Sequence, residues 1–236
     1  MRPLSRIEPQ PRTCSDRDRP AKSSLLATAF RDRTWLATVG CGPVHVRYEE
    51  PRDADAVAEV HREAFGDHGG VVALLVEDLR ALLNRESGLS LLAECRGEVV
   101  GHVMFSRGLL DAPARLVAVE ILSPVAVRPH AQRNGIATAL IQRGLEILSA
   151  RQVPAVFLEG DPGFYSRLGF VPAGAHGFRK PSLRIPDAAF QVITLPSHER
   201  WMTGTLVYPE PFWRHDLVGL RHSNTDSDDD APSPPP

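Results

Sequence analysis

The stretch RPHAQRNGIATALI, residues 128–141, could bind an anion. A strand-like pattern stops at Pro129, a polar turn follows, and a helical pattern begins after Gly135. The first N–H groups of a helix have no acceptor within it, and the aligned peptide dipoles add partial positive charge at the same end. Gly135 allows a close approach to the backbone, Ala137 is nearly as small, and Arg133 carries a permanent charge. These residues indicate a phosphate or pyrophosphate site, although many ordinary strand-to-helix connections share the pattern.

Two other phosphate-binding loops are absent from the sequence. There is no Gly-x-x-x-x-Gly-Lys-Ser/Thr segment, and no Gly-x-Gly-x-x-Gly segment follows a strand pattern. The sequence therefore disfavours ATP hydrolysis and dinucleotide binding.

Changes of hydrophobic period place the anion-binding segment inside an α/β domain. A strand pattern at 44–50 precedes two helical patterns, at 53–65 and 69–84. Arg96–Gly97 is a hairpin signal between the next two strands. The strand 114–127 is apolar enough for the centre of a sheet, and the full order is β-α-α-β-β-β-α-β-α-β. This order predicts a mixed, largely antiparallel central β-sheet flanked by helices.

The composition disfavours several classes of partner. The chain has 236 residues, 42% of them hydrophobic, and a net charge of -2, which gives no electrostatic footprint for nucleic acid. No apolar run approaches the roughly 18–20 residues that span a bilayer. Cys14, Cys41 and Cys95 lack metal-ligand spacing. We therefore expect a cytoplasmic, metal-free protein with reduced thiols that binds neither nucleic acid nor membrane.

We expect three regions along the chain. Residues 1–43 lack a sustained hydrophobic period, which predicts a poorly ordered N-terminal extension. Residues 44–215 should form the folded domain, including a C-terminal extension at 178–215. Residues 216–236 are acidic and then proline-rich, and we expect a disordered tail there.

A second motif makes the loop pattern more specific. Tyr165, Gly169 and Phe170 form Tyr-x-x-x-Gly-Phe within GDPGFYSRLGF, after the long helix and a short strand. Together with the loop Gln-x-x-Gly-x-Ala, this arrangement resembles the GCN5-related N-acetyltransferase (GNAT) superfamily, in its YhbS-like predicted acetyltransferase branch. The resemblance covers about residues 45–213, and Ala137 stands where the family loop often has a second glycine. It implies the acyl-CoA N-acyltransferase fold of that superfamily.

The resemblance implies acetyl-CoA as the co-substrate. In the family, backbone N–H groups of the loop surround the pyrophosphate, and the preceding strand runs beside the pantetheine arm. A backbone N–H near the end of that strand serves as the oxyanion donor. The cofactor-binding residues implied here are Val125, Ala126, Val127, Gln132, Arg133, Asn134, Gly135, Ile136, Ala137 and Thr138.

The same resemblance implies a proton donor but leaves the base open. Tyr165 is the implied general acid that protonates the departing thiolate. Glu120, on the central strand, and Glu159, at the end of the next strand, are the candidate bases, and proton exit through water needs neither. His102 and Asp161 are weaker candidates, because a strand histidine is commonly a satisfied core residue and Asp-Pro is typical of a helix start.

The implied activity is direct transfer of an acetyl group from acetyl-CoA to a primary amine of a small molecule or peptide. A noncatalytic module that binds or senses acyl-CoA is the alternative. The two N-terminal helices and the aromatic extension at 178–215 should wall the acceptor side of the pocket. The same aromatic rings would equally fit a core or a dimer face, so a homodimer stays open.

Overall fold

The computed structural model describes residues 36–39, 42–84 and 87–219. All of them belong to one structural unit, residues 34–236, and the other unit, residues 1–33, lies outside the described residues. Strand β1 (Leu36–Val39) falls within the segment that the sequence predicts to be poorly ordered. The expected tail lies outside the described residues from residue 220 onwards.

The described residues form ten β-strands and five α-helices. The strands after β1 are β2 (Gly42–Tyr48), β3 (Leu89–Cys95), β4 (Glu98–Asp111), β5 (Leu116–Val127), β6 (Ala155–Glu159), β7 (Val171–Pro172), β8 (Phe178–Arg179), β9 (Phe190–Thr194) and β10 (Gly204–Val207). The helices are α1 (Ala54–Phe65), α2 (Gly69–Leu82), α3 (Ile136–Ala150), α4 (Pro162–Tyr165) and α5 (Glu210–Arg214).

The strands form one mixed sheet in the order β1-β2-β3-β4-β5-β6-β9-β7, with β10 pairing with both β4 and β8. Neighbours from β1 to β5 are antiparallel, β5 and β6 are parallel, and β6 and β9 are antiparallel. The predicted mixed α/β architecture is confirmed. The hairpin between β3 and β4 turns at Arg96 and Gly97, as predicted, and both residues have positive φ.

Helices cover both faces of the sheet because each has an apolar stripe. On one face α1 and α2 bury Val57, Val60, Leu75, Val76 and Leu79. Each fully buried side chain of this size contributes about 1.5–3 kcal/mol to the burial free energy.

Helix α3 packs on the opposite face. It buries Leu140, Ile141 and Leu148, which lie on one face of the helix. A Cβ at Gly144 would lie 2.2 Å from Cε2 of Phe105 on β4, so this glycine lets α3 approach the sheet closely.

The far half of β5 separates from β6. The β5–β6 pairing includes only Glu120 and Ile121, opposite Val156 and Phe157. The β4–β5 register shifts between Val103 and Phe105, so β5 carries an extra residue at this point. Such a bulge bends the strand that contains it. The two strands therefore leave an opening beyond Ile121.

A buried polar chain connects α1 and α2 to the sheet. His102 on β4 hydrogen-bonds to His61 of α1 through Nδ1 and to the Ser90 hydroxyl through Nε2, at 2.8 Å each. Ser90 also donates to Glu49, which accepts from Arg80 of α2. Burial lowers the pKa of His61 to about 2 and also lowers that of His102. His102 is therefore a satisfied core histidine.

The C-terminal extension docks on α2 and extends the sheet. Asp78 of α2 contacts both Arg214 and His215, at 3.1 and 2.7 Å. Strand β10 pairs with the end of β4, with Thr205 opposite Asp111. The sequence predicted this extension as a pocket wall, a core or a dimer face and did not predict its strand pairing, because its strands are short and separated by proline-containing segments.

Two further observations concern the expected compartment. Cys95 is disulfide-bonded, which contradicts the expectation of reduced thiols. No helix in the described part of the chain combines the length and apolarity needed to cross a bilayer.

Candidate active site

Two cavities meet at the separated end of β5. Cavity I, of about 710 Å³, is bounded by the end of β5, the loop 128–135 and the start of α3. Cavity II, of about 870 Å³, lies between the ends of β5 and β6, helix α2 and residues 208–219. Val125 lines both cavities, so a ligand that passes along this strand end reaches both.

Cavity I brings together the predicted cofactor-binding residues except Asn134. Its lining includes Val125, Ala126, Val127, Gln132, Arg133, Gly135, Ile136, Ala137 and Thr138. Asn134 instead shapes the loop, because its side-chain amide donates to the carbonyls of Ala131 and Gln132 at 3.2 and 3.0 Å.

The loop backbone has the conformation of an anion-binding turn. Arg133 and Gly135 have φ angles of 62° and 79°, and Gly135 is the N-cap of α3. Left-handed residues at a helix start create concavities lined by N–H groups. No heavy atom lies within 4 Å of a Cβ built on Gly135, so the space above it is open. The Gln132 side chain donates to the Val127 carbonyl at 3.0 Å and fixes the loop against β5.

Cavity I also has a wall that the sequence interpretation missed. Ala131, Gln142, Phe164, Arg167 and Leu168 complete its lining. The Arg167 guanidinium lies 5.7 Å from the centroid of the Phe164 ring, on the same side of the turn that follows β6. Residues three positions apart share one face of a helix, so the spacing of Phe164 and Arg167 was the sequence signal that both lie on the same wall.

Tyr165 faces cavity II, whereas its neighbour Phe164 faces cavity I. Burial, assisted by the Asp161 carboxylate, raises the pKa of Tyr165 to about 12, so the phenol stays protonated at neutral pH. A Cβ at Gly160 would lie 2.3 Å from Cε2 of Tyr165, so the absence of a side chain there sets the ring position. Asp161 accepts from the Gly163 N–H at 2.9 Å, which confirms it as the cap of α4.

Glu159 ends β6 and also lines cavity II. One carboxylate oxygen, Oε2, accepts from the Gly219 N–H at 3.0 Å. The other, Oε1, is buried and forms no hydrogen bond of good geometry to a described residue, although the Tyr208 hydroxyl lies close enough to interact with this carboxylate. Burial raises the pKa of this carboxyl, against the opposing effects of Tyr208 and the Gly219 N–H. A carboxyl with a raised pKa is suited to accept a proton near neutral pH.

Glu120 lies apart from both cavities. It is 3% exposed, and its Oε1 accepts from the Gly88 N–H at 3.0 Å. Gly88 is in turn bonded to Arg151, at the C-terminal end of α3. Cavity I is at the other end of this 15-residue helix, about 22 Å away. The structure therefore does not bring Glu120 together with Tyr165, and its carboxylate is buried among the apolar residues that surround it in the sequence.

Replacing Glu120 by glutamine should stabilise the protein in a pH-dependent way. Burial raises the pKa of Glu120 to about 7 from an ordinary value of 4.5. The folded state therefore favours the protonated form, and stability falls as pH rises between these two values. We expect Glu120→Gln to increase the free energy of unfolding by about 2–3 kcal/mol near pH 8 and by little near pH 4.

Denaturant unfolding at both pH values measures this difference. Glu77→Gln, at an exposed position on α2, is the matched control and should change neither value. An equal gain at both pH values would contradict the assignment of the effect to ionisation.

Comparison with known proteins identifies the class of this site. Residues 45–173 match the family model described as an acetyltransferase (GNAT) domain. The chain is 34% identical to the Escherichia coli (strain K12) protein named uncharacterized N-acetyltransferase YjhQ, over 67% of this chain and 88% of that one. It is also 34% identical to uncharacterized N-acetyltransferase YhbS of the same strain, over 72% of this chain and 98% of the relative.

Two solved structures share the architecture. The Escherichia coli YhbS structure in complex with CoA has a TM-score of 0.64 and 32% identity, and covers 72% of this chain and 92% of that one. A Brucella melitensis GNAT acetyltransferase in complex with acetyl-CoA has a TM-score of 0.57 and 30% identity, over 72% and 97% of the two chains. The fold is therefore that of a GNAT acetyltransferase. The chain belongs to the GNAT acetyltransferase family, and the predicted YhbS-like resemblance is confirmed.

Proposed function

We propose that this protein transfers an acetyl group from acetyl-CoA directly to a primary amine. The observation that carries the proposal is the strand end at Val125, which borders both cavities. Cavity I would hold the coenzyme and cavity II the amine, so the thioester would lie at their junction. The relatives solved with CoA and acetyl-CoA support the choice of co-substrate.

The residues of cavity I fit the coenzyme. The open space above Gly135 and the left-handed loop leave room for a pyrophosphate against backbone N–H groups. Each charge-assisted hydrogen bond there would contribute about 1.5–3 kcal/mol. Arg133 and Arg167 would add positive charge on two sides of the cavity, and a backbone N–H at Ala126 or Val127 would stabilise the oxyanion.

Glu159 and Tyr165 line cavity II and divide the proton transfers between them. The ammonium loses one proton to Glu159, and its nitrogen then forms the new C–N bond as the C–S bond breaks. Tyr165 protonates the departing sulfur and regains a proton from the nitrogen of the new amide. Glu159 releases its proton to solvent, so the overall reaction yields an amide, a thiol and one proton. Glu120 has no part in this scheme, because it lines neither cavity.

Replacing Glu159 by glutamine should lower kcat/KM by about 10²-fold, the lower part of the range for general bases. Because a base acts when deprotonated, kcat/KM of the wild type should rise with pH through the raised pKa of Glu159. The variant should lose this rise. Initial rates across a pH series, with exposed Glu146→Gln on α3 as control, provide the measurement. An unchanged pH profile in Glu159→Gln would assign the base to water.

Thiol release from acetyl-CoA with a panel of amines tests the proposed function directly. We expect amine-dependent release together with calorimetric binding of CoA. Binding without release for every amine would favour a noncatalytic acyl-CoA sensor. Three expectations from the sequence remain predictions: a cytoplasmic location, a homodimer and the domain limits 44–215.

A further inference from the structure

Cavity II has an apolar body. Phe65 and Val72, from α1 and α2, line this cavity together with Phe212 and Leu217, from α5 and the residues that follow it. Leu122 completes the wall on β5. Phe65 is 37% exposed and its ring stacks on His61, with centroids 5.9 Å apart. These side chains would contact the acceptor with carbon atoms alone.

One end of the same cavity is polar and incompletely satisfied. Glu159 Oε1 and the Tyr208 hydroxyl are both buried, and neither forms a hydrogen bond of good geometry to another described residue. Tyr208 is 5% exposed, and burial raises its pKa, helped by the charge of Glu159 and by the hydrogen-bonding approach of the hydroxyl to that carboxylate. A carboxylate oxygen accepts more than one hydrogen bond, so Glu159 Oε1 can take an N–H donor from a ligand beside the Tyr208 hydroxyl.

The other charged groups of cavity II are already engaged. Asp161 caps α4, and Asp216 forms an ion pair with Arg184 at 3.0 Å. No lysine or arginine occurs among the described residues that line this cavity, and His68 is its one basic-type side chain. An acceptor that carries a carboxylate would therefore face acidic groups, and Arg184, whose charge reaches Glu159, is already paired with Asp216.

We propose that the acceptor is a primary monoamine with an apolar body about the size of a phenyl ring. Its ammonium would lie between Glu159 Oε1 and the Tyr208 hydroxyl, and its body would contact Phe65 and Phe212. This inference rests on the proposed function and specifies the acceptor. The acetyl transfer itself follows the bond and proton changes given above.

The inference is tested by measuring how fast the full-length protein acetylates different amines. We compare kcat/KM for 2-phenylethylamine, L-phenylalanine and spermidine, which differ in a carboxylate and in the number of ammonium groups. We expect 2-phenylethylamine to exceed the other two by about 10²-fold, since unpaired buried charges discriminate strongly. Equal or faster acetylation of L-phenylalanine or spermidine would overturn the inference and leave the proposed function intact.

Calorimetry separates failure of the inference from failure of the proposed function. 2-Phenylethylamine should bind the protein when CoA is present. Absence of amine binding to a CoA-saturated protein would overturn the inference alone, whereas absence of CoA binding would overturn both.

The apolar wall has its own variant test. Phe65→Ala should lower kcat/KM for 2-phenylethylamine about 10-fold and leave that for ethylamine within about twofold, because only the larger amine reaches the ring. Leu74→Ala is the control, since Leu74 is 54% exposed on α2 and lines neither cavity. A parallel loss for both amines in Phe65→Ala would contradict the placement of the apolar body.

Discussion

Replacing Gly135 by glutamate is expected to weaken acetyl-CoA binding by about 10³-fold or more. The substitution places a carboxylate in the open space where the pyrophosphate would lie, and like charges in a confined site repel strongly. It also forces a side chain onto a residue with φ of 79°, which costs about 1 kcal/mol in the fold. Isothermal calorimetry with CoA measures the loss of binding.

Gly97→Glu is a matched control for this experiment. Gly97 lies in the β3–β4 hairpin with φ of 84°, and it likewise has no heavy atom within 4 Å of a built Cβ. It therefore receives the same charge and a similar backbone strain, but it lines neither cavity. Both variants should lose similar thermal stability, and only Gly135→Glu should lose CoA binding. Retention of binding in Gly135→Glu would refute the assignment of cavity I.

Replacing Tyr165 by phenylalanine should lower kcat by about 10³-fold, within the range of general acid catalysis. The hydroxyl is the group that would protonate the thiolate, and a pKa of about 12 keeps it protonated throughout the working range. The ring, which contacts Phe164 and Phe170 edge to face, remains in the variant. Affinity for CoA should therefore stay within about twofold, because only a transition-state interaction is removed.

Tyr48→Phe serves as the control for loss of a phenol. Tyr48 ends β2, is 51% exposed and lines neither cavity, so this variant should keep full activity. Wild-type kcat in Tyr165→Phe would show that water or another group protonates the sulfur. A loss confined to KM for the amine would instead make Tyr165 a substrate-positioning residue.

The proposed coenzyme side of the site was predictable because it depends on the backbone. A polar turn, a glycine and the start of a helix occur within about ten consecutive residues, so the pattern is visible in the sequence. Gly135 also adopts the left-handed conformation that only glycine adopts readily. Arg167 escaped prediction because its role depends on how the short helix α4 turns toward the loop. Its three-residue spacing from Phe164 was too common a pattern to single it out.

The acceptor side was much less predictable. The sequence cannot distinguish Glu120 from Glu159, because each lies on a predicted apolar strand. The folded structure does, because it places Glu120 beside Arg151 at the end of α3 far from cavity I. The approach of Tyr208 to Glu159 joins residues separated by most of the C-terminal extension. Contacts over such separations leave no periodic signal in a single sequence.

The two cavities differ in how the chain builds them. Cavity I draws on two short runs of neighbouring residues, within 125–142 and 164–168. Cavity II is assembled from segments scattered between residues 65 and 219. A change in the shape of cavity II would therefore require substitutions in several distant segments, whereas cavity I could be retained through two short, local ones.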